Sequence, residues 1–310
     1  MKILVLGAAA GGGFPQWNSN SEASRRARAG DPSARPATQA SIAFSADGEH
    51  WFVINASPDL REQINREPAL HPREGLRSSP IAGFILTNGD VDAVAGLLHV
   101  RERTPFVVLA HARILDVLDS NPIFRVLAAD VVRRLPLELE EATPLAEPGG
   151  AESGLVVTSF LVPGKVALYM EEASNATDFG TRDGDTVGLE ILDARHGRRV
   201  VYLANCAQVN ESVRRRCSGA DVVFFDGTLW RDDEMLVSGE GTKTGRRMGH
   251  VSMSGPGGAM EGLRDVDIGR RIFIHINNTN PALLADSEER SSLERGGWEV
   301  AYDGQSFSLE

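Results

Sequence analysis

Three polar clusters have the residue types and spacing for chemistry. The first is Thr87-Asn88-Gly89-Asp90-Val91-Asp92, which follows an apolar run. Two carboxylates two residues apart in an extended loop can point the same way. Hard oxygen donors of this kind suit Mg²⁺, Mn²⁺ or Fe²⁺. A polar turn capping a helix at Val94 accounts for the same residues, because Asp is a good N-cap. The second cluster is Phe224-Phe225-Asp226-Gly227-Thr228. An Asp at the carboxyl end of a buried strand stands where α/β sheets build ligand sites. A turn residue ending the strand is the plainer reading. The third is a pair of histidines, His250 after Lys243-Thr244-Gly245-Arg246-Arg247-Met248-Gly249 and His275 within Ile272-Phe273-Ile274-His275-Ile276. A histidine between isoleucines is often a satisfied core residue. Here Asn277-Asn278-Thr279-Asn280 follow at once, and that polarity at a strand end favours a site equally. His50, His71, His99, His111 and His196 lack such company and read as ordinary.

Other chemistries find no support. The chain holds no G-x-S-x-G, no Walker loop and no H-E-x-x-H. Gly7 and Gly11-Gly12-Gly13 do not fit G-x-G-x-x-G, and Pro15 opposes a helix start, so a dinucleotide site is not expected. Those glycines serve close backbone approach or positive φ. Cys206 has no histidine neighbour, which argues against a thiol nucleophile.

The elements that must position these clusters follow from periodicity. Strands are predicted over 2–6, 41–44, 51–55, 81–87, 106–110, 155–161, 187–192, 199–203, 222–226, 272–276, 298–302 and 306–309. Helices are predicted over 60–65, from 94 onward, and over 112–118, 231–239 and 282–295. Residues 18–37 read as a long loop or a short helix leading into a turn. Many short strands with helices between them, in two similar halves, predict two sheets covered by helices. No linker divides the 310 residues, so one domain over 1–310 is expected.

Composition bounds the partners. Acidic residues exceed basic ones, 43 to 32, for a net charge of −11. That argues against nucleic acid and against an anionic membrane surface. No apolar run reaches the ~20 residues of a membrane span. The first apolar run breaks at Gly7, which reads as a buried strand rather than a signal peptide. Two cysteines build no disulfide framework, so a reducing compartment is the default.

Longer segments carry a resemblance. Thr87-Asn88-Gly89-Asp90-Val91-Asp92 with Gly96-Leu97 sits where metallo-β-lactamase-fold proteins carry T-H-x-H-x-D-H-x-x-G-L. With Gly11-Gly12-Gly13-Phe14-Pro15-Gln16-Trp17-Asn18, Asn55-Ala56-Ser57-Pro58-Asp59-Leu60-Arg61, Val162-Pro163-Gly164-Lys165-Val166, Gly241-Thr242-Lys243-Thr244-Gly245 and His275-Ile276-Asn277-Asn278-Thr279-Asn280-Pro281, it resembles the B family of pyrroloquinoline quinone (PQQ) biosynthesis proteins. The similarity spans nearly the whole chain. It implies an αββα sandwich of metallo-β-lactamase type. The metal would sit on loops after strands, with Asp92, Asp226 and His275 as ligands and Asp90 close by. The implied activity is iron-dependent hydroxylation of the tyrosine ring of a cross-linked Glu–Tyr precursor in the cytoplasm. The alternative is a non-catalytic protein that binds or carries PQQ or its precursor toward the periplasm. A hydrolase of the wider superfamily is disfavoured, because Asn88 and Asp90 stand in place of the first two motif histidines.

The resemblance also assigns expectations to single residues. His250 and Asp90 are the catalytic candidates. Lys243, Arg246 and Asn277 are the candidates for binding a small peptide-derived precursor with several carboxylates. Lys243, Arg246 and His250 should line one cavity with Asp92 and Asp226. The cofactor is one divalent metal, Fe²⁺ first, with Mn²⁺ or Mg²⁺ as alternatives. The protein is expected to be cytoplasmic and not inserted in a membrane, with a homodimer as the assembly to test for. Two departures bear on the metals. Ala93 replaces the histidine that follows Asp-Val-Asp in the family, which should leave a coordination position open and one carboxylate partly protonated. Ser19, Ser21 and Ser24 stand where many relatives carry the three cysteines of a structural zinc site. Neutral hydroxyls do not replace thiolates on Zn²⁺, so that zinc is expected to be absent and the 18–31 loop looser.

Overall fold

The computed structural model describes residues 1–172 and 180–310. Its first sheet holds β1 (Lys2–Gly7), β2 (Ser41–Ser45), β3 (Trp51–Ile54), β4 (Ile81–Leu86), β5 (Phe106–Ala110) and β6 (Val132–Pro136). The second holds β7 (Ala142–Ala146), β8 (Glu152–Leu161), β9 (Val187–Asp193), β10 (Arg198–Leu203), β11 (Ala220–Asp226), β12 (Ile268–Ile274) and β13 (Trp298–Val300). The last strand, β14 (Ser306–Ser308), returns to the first sheet beside β1. The orders are β14-β1-β2-β3-β4-β5-β6 and β13-β12-β11-β10-β9-β8-β7. Each sheet has an antiparallel half and a parallel half: β3–β4–β5–β6 run parallel in one and β10–β11–β12–β13 in the other.

Residue choice explains the split. The parallel strands β3, β4 and β5 are buried at every position, so they read as unbroken apolar runs. Antiparallel β8 alternates instead, with a partly open face. Side chains of both sheets interleave in one core, and Phe224 of β11 stacks on Phe307 of β14 at 6.3 Å between ring centroids. Helices Ala112–Ser120, Glu211–Cys217 and Glu288–Arg295 pack on β6, β11 and β13. This is the two-sheet sandwich covered by helices that the sequence implies.

Several elements differ from expectation. Edge strands β6 and β7 were not foreseen, since Arg133, Arg134, Pro136 and Pro144 break their apolar pattern. The helix Glu211–Cys217 was also missed, although Asn210 caps it by accepting from the Val213 N–H. The predicted helix over 282–295 splits into a 3-10 turn, Pro281–Leu283, and a helix Glu288–Arg295 capped by Ser287. The helix over 231–239 shortens to Glu234–Ser238, ended by left-handed Gly239. Within 18–37 the short-helix alternative holds: Ser21 caps a helix Glu22–Arg28. Gly7 and Gly12 behave as glycines must. A Cβ on Gly7 would stand 2.2 Å from the Gln39 carbonyl oxygen, and Gly12 has φ +92°. Among the described residues, no helix is long and apolar enough to cross a membrane.

The carboxyl ends of the parallel strands of both sheets meet at one edge. An isolated bridge joins Asn88, after β4, to Thr186, before β9. Another joins Ala9, after β1, to Ile276, after β12. Loops carrying all three polar clusters therefore converge there.

Candidate metal centre and substrate cavity

Asp226 is the last residue of β11 and has no exposed surface. Its Oδ1 accepts from the Thr228 N–H at 3.0 Å and the Thr228 hydroxyl at 2.7 Å. Its Oδ2 accepts from the Cys206 N–H at 2.8 Å and lies 2.7 Å from His250 Nδ1. A carboxylate so held is fixed in both position and rotation. His250 follows Gly249, whose φ of +86° turns the chain out of the helix Gly245–Met248. A Cβ on Gly249 would come within 2.9 Å of Lys165 Cβ, so only glycine fits the approach.

His275 lies one residue beyond β12, not within the strand as predicted, with φ +63°. This left-handed conformation is costly for a non-glycine residue and is held by bonds to the other sheet. The Ile276 N–H donates to the Ala8 carbonyl at 2.9 Å, and the Ala10 N–H donates to the Ile276 carbonyl at 2.8 Å. The two imidazoles stack with centroids 5.3 Å apart. Thr228 Oγ1 stands 3.0 Å from His250 Nδ1 and 2.8 Å from His275 Nδ1. With its proton given to Asp226, the hydroxyl offers lone pairs to both Nδ1–H groups. His275 Nε2 then faces Asp92 Oδ2 at 3.1 Å, a pairing that a proton or a metal cation satisfies.

Among the described residues, Asp226, His250 and His275 each offer a ligand atom within 4.8 Å of the other two. The compact set has two imidazoles and one carboxylate, and the expected ligand Asp92 stands beside it, facing His275 Nε2. That donor set suits non-haem Fe²⁺ and also Zn²⁺, so the residues fit a divalent metal. Ala93 is buried in the core and offers no ligand atom.

The electrostatics follow from the same contacts. Burial, reinforced by neighbouring Asp92, pushes the Asp90 carboxyl up. Burial also pushes Asp92 up, but the hydrogen bond and charge of His275 outweigh it and the net shift is down. For His275, burial pulls down, and the Asp92 hydrogen bond and charge bring the net shift up. Within the neighbouring pair, then, Asp90 is pushed toward its neutral form and Asp92 toward its charged one. Asp90 stands at the N-cap of the helix Val91–Val94 yet makes no side-chain cap bond. Its Oδ1 accepts instead from the Leu168 N–H at 3.0 Å.

A cavity of about 910 Å³ opens over the centre. Asp90, Asp92, Lys243, His250, His275 and Asn277 all line it; of the five residues expected to share a cavity, Lys243, His250 and Asp92 do so. Arg246 does not. It sits on the exposed side of the helix Gly245–Met248, and its N–H donates to Asp232. Asp226 lies beneath the floor behind Thr228. Sequence reasoning gave no role to Lys165, Tyr169, Asn205 or Thr228, which also line the cavity.

The serine cluster forms a separate network. The Ser19 hydroxyl donates to Glu240 at 2.9 Å, and the Ser24 hydroxyl donates to Asn278 Oδ1 at 2.9 Å. Asn278 Nδ2 donates to Glu240 at 3.1 Å, which ties residues 19–24 to the loop after His275. These bonds hold the loop at Ser19 and Ser24 through hydroxyls. His50, read as ordinary, lies between Asp47 and Glu147 on the surface, with Nδ1 at 3.0 and 3.1 Å.

A β-lactamase superfamily domain model matches residues 50–276. Coenzyme PQQ synthesis protein B of Gluconacetobacter diazotrophicus is 57% identical over 97% of both chains. The protein of that name from Bradyrhizobium diazoefficiens is 52% identical over the full length of both. The chain belongs to the coenzyme PQQ synthesis protein B family. Its fold is accordingly the metallo-β-lactamase fold. The Zn²⁺-bound crystal structure of a family member, PqqB from Methylobacterium extorquens, superposes with a TM-score of 0.94 at 51% identity, covering 100% of both chains. A diphosphatase of the PhnP family shares the fold alone, with a TM-score of 0.68 at 18% identity.

Proposed function

We propose that this chain acts in PQQ biosynthesis as a metal-dependent hydroxylase of the tyrosine-derived ring of a cross-linked Glu–Tyr precursor. The observation that supports this reading is the Asp226–His250–His275 group, with His250 and His275 lining a cavity that two lysines also line and Asp226 beneath it. Asp226, His250 and His275 would hold the ion, Fe²⁺ by donor type, with Asp92 beside His275. When bound, the ion supplies activation of O₂ for transfer of one oxygen atom to the ring. Lys165 and Lys243 bind carboxylates of the precursor. Val91, Val166, Leu168 and Met248 offer an apolar wall for the ring. Asp90, whose carboxyl burial pushes up, stands at the cavity wall as the candidate proton-transfer group. Thr228 keeps both imidazoles in register with Asp226.

The test is oxygen-dependent turnover. The protein, loaded with Fe²⁺ and supplied with ascorbate as reductant, is incubated with the precursor under O₂. Mass spectrometry should find a product heavier by one oxygen atom, lost in His250→Ala and His275→Ala. The Ala93→His variant should bind Fe²⁺ more tightly and turn over faster. PQQ or precursor binding with no oxygenated product from either protein would support the carrier reading instead.

A further inference from the structure

The turns that join β2 to β3 and β7 to β8 bring three donor atoms together away from the cavity. Asp47 and His50 lie in the first turn and Glu147 in the second. His50 Nδ1 stands 3.0 Å from Asp47 Oδ2 and 3.1 Å from Glu147 Oε1. Each of the three residues offers a ligand atom within 4.8 Å of the other two. The first turn leads into the amino end of β3, whereas the cavity lies at the carboxyl ends of the parallel strands, so this trio occupies the opposite edge. It also bridges the sheets, since β2 and β3 belong to one and β7 and β8 to the other.

Hydrogen bonds already hold the donors in place. Asp47 Oδ1 accepts from the Ser45 hydroxyl at 3.0 Å and from the N–H groups of Glu49 and His50 at 2.7 and 2.9 Å, which leaves Oδ2 turned to the imidazole. Burial raises the Asp47 carboxyl, but the bonds from His50, Glu49 and Ser45 outweigh it and hold it well below the usual range. In the second turn the Glu147 N–H donates to the Ala151 carbonyl at 2.9 Å, and the Gly150 N–H donates to the Glu147 carbonyl at 2.8 Å. Two carboxylates thus share one imidazole nitrogen. Among the described residues, no lysine or arginine pairs with either of them: Arg73 pairs with Glu49, and Lys2 lies over Gly48.

Donors about 2.1 Å from an ion stand roughly 3.0–3.4 Å apart in octahedral or tetrahedral geometry. The spacings around His50 Nδ1 already fall there. One imidazole nitrogen with two carboxylate oxygens suits a borderline ion such as Zn²⁺ better than Ca²⁺ or Mg²⁺, which take oxygen shells. We propose that Asp47, His50 and Glu147 form a surface site for a divalent ion of the Zn²⁺ type, which staples the β2–β3 turn of one sheet to the β7–β8 turn of the other. The ion takes the place of the Nδ1 proton, the imidazole carries its proton on Nε2, and water fills the remaining positions. The site shares no residue with the Asp226–His250–His275 group, and its failure leaves the reading of that group untouched.

The probe is Zn²⁺, titrated by calorimetry into the metal-free full-length protein and into His50→Gln and Glu147→Gln. Both side chains reach the surface, at 42% and 22% exposed, so neither change empties the core. The unaltered protein should take up one more equivalent than either variant, and an equal concentration of Ca²⁺ or Mg²⁺ should not displace it. Hydrogen exchange reads the staple. At a hundredfold excess over Kd, the amides of Gly48 and Glu147 should both exchange up to about a hundredfold more slowly, and neither should change in His50→Gln. Equal uptake by all three proteins, or ready displacement by Ca²⁺, would overturn the site. Slowing at one turn alone would overturn the staple.

Discussion

Thr228 contacts Asp226, His250 and His275 through a single hydroxyl. Removing it in Thr228→Val leaves the imidazoles without that partner. A loss of this kind typically costs ~10–100-fold in metal affinity or activity. Fe²⁺ titration calorimetry should show such a drop, with Thr228→Ser restoring most of it. A ligand atom matters more than its support, so His250→Ala should lose more than ~100-fold in the same titration, and Asp92→Asn less than that. Equal losses for His250→Ala and Asp92→Asn would put Asp92 among the direct ligands. The sequence already pointed to Asp226 and His275 by their places at strand ends. It could not rank His250 against Asp92, because ligand convergence depends on two loops that are far apart in the chain. Nor could it choose between Arg246 and Arg247. Neighbours on a helix project about 100° apart, and only the packed helix shows that Arg247 turns toward Glu171 while Arg246 turns to solvent.

The helix Glu234–Ser238 is tied to the loop after His275 by its first residue. Glu234 is 8% exposed, and it accepts from the Trp230 N–H and the Thr279 hydroxyl. Burial pushes its carboxyl up to about 7 from the ordinary 4.5. A raised folded value favours the protonated form, so this contribution is fully present below pH 4.5 and is lost as pH rises through about 7. The loss is on the order of 3 kcal/mol at most. Urea denaturation at a series of pH values should show wild-type stability falling across that window, and Glu234→Gln should flatten the fall. Elements as a class were legible where burial was two-sided, as in β4, β5 and β11, since apolar runs of that kind have few other uses. They were obscure at the sheet edges. Solvent admits Arg133 and Arg134 into β6 and Pro144 into β7, and the apolar signal vanishes. The split of 282–295 was hidden because Pro281 can open either a helix or a 3-10 turn.

At the scale of the molecule, two sheets of the same pattern share one core, and each sends a loop from the end of a central parallel strand to the site. The sequence suggested two similar halves. It could not show how they face each other, which depends on contacts such as Phe224 against Phe307. Phe224→Ala empties that contact and should cost about 3–5 kcal/mol, read as a lower denaturation midpoint. The bonds from Ile276 to Ala8 and Ala10 join the segment carrying His275, just after β12, to the residues that follow β1 in the opposite sheet. A cation gripping His275 would therefore act as a weld across the seam of the sandwich. Its signature would be mechanical as well as chemical: amide hydrogens of Ala10 and Ile276 should exchange more slowly once Fe²⁺ or Zn²⁺ is added. At a hundredfold excess over the dissociation constant, the whole fold should gain about 2.7 kcal/mol. Exchange that slows only around His250 and Asp226 would mean that the ion stays on one sheet and leaves the seam untouched.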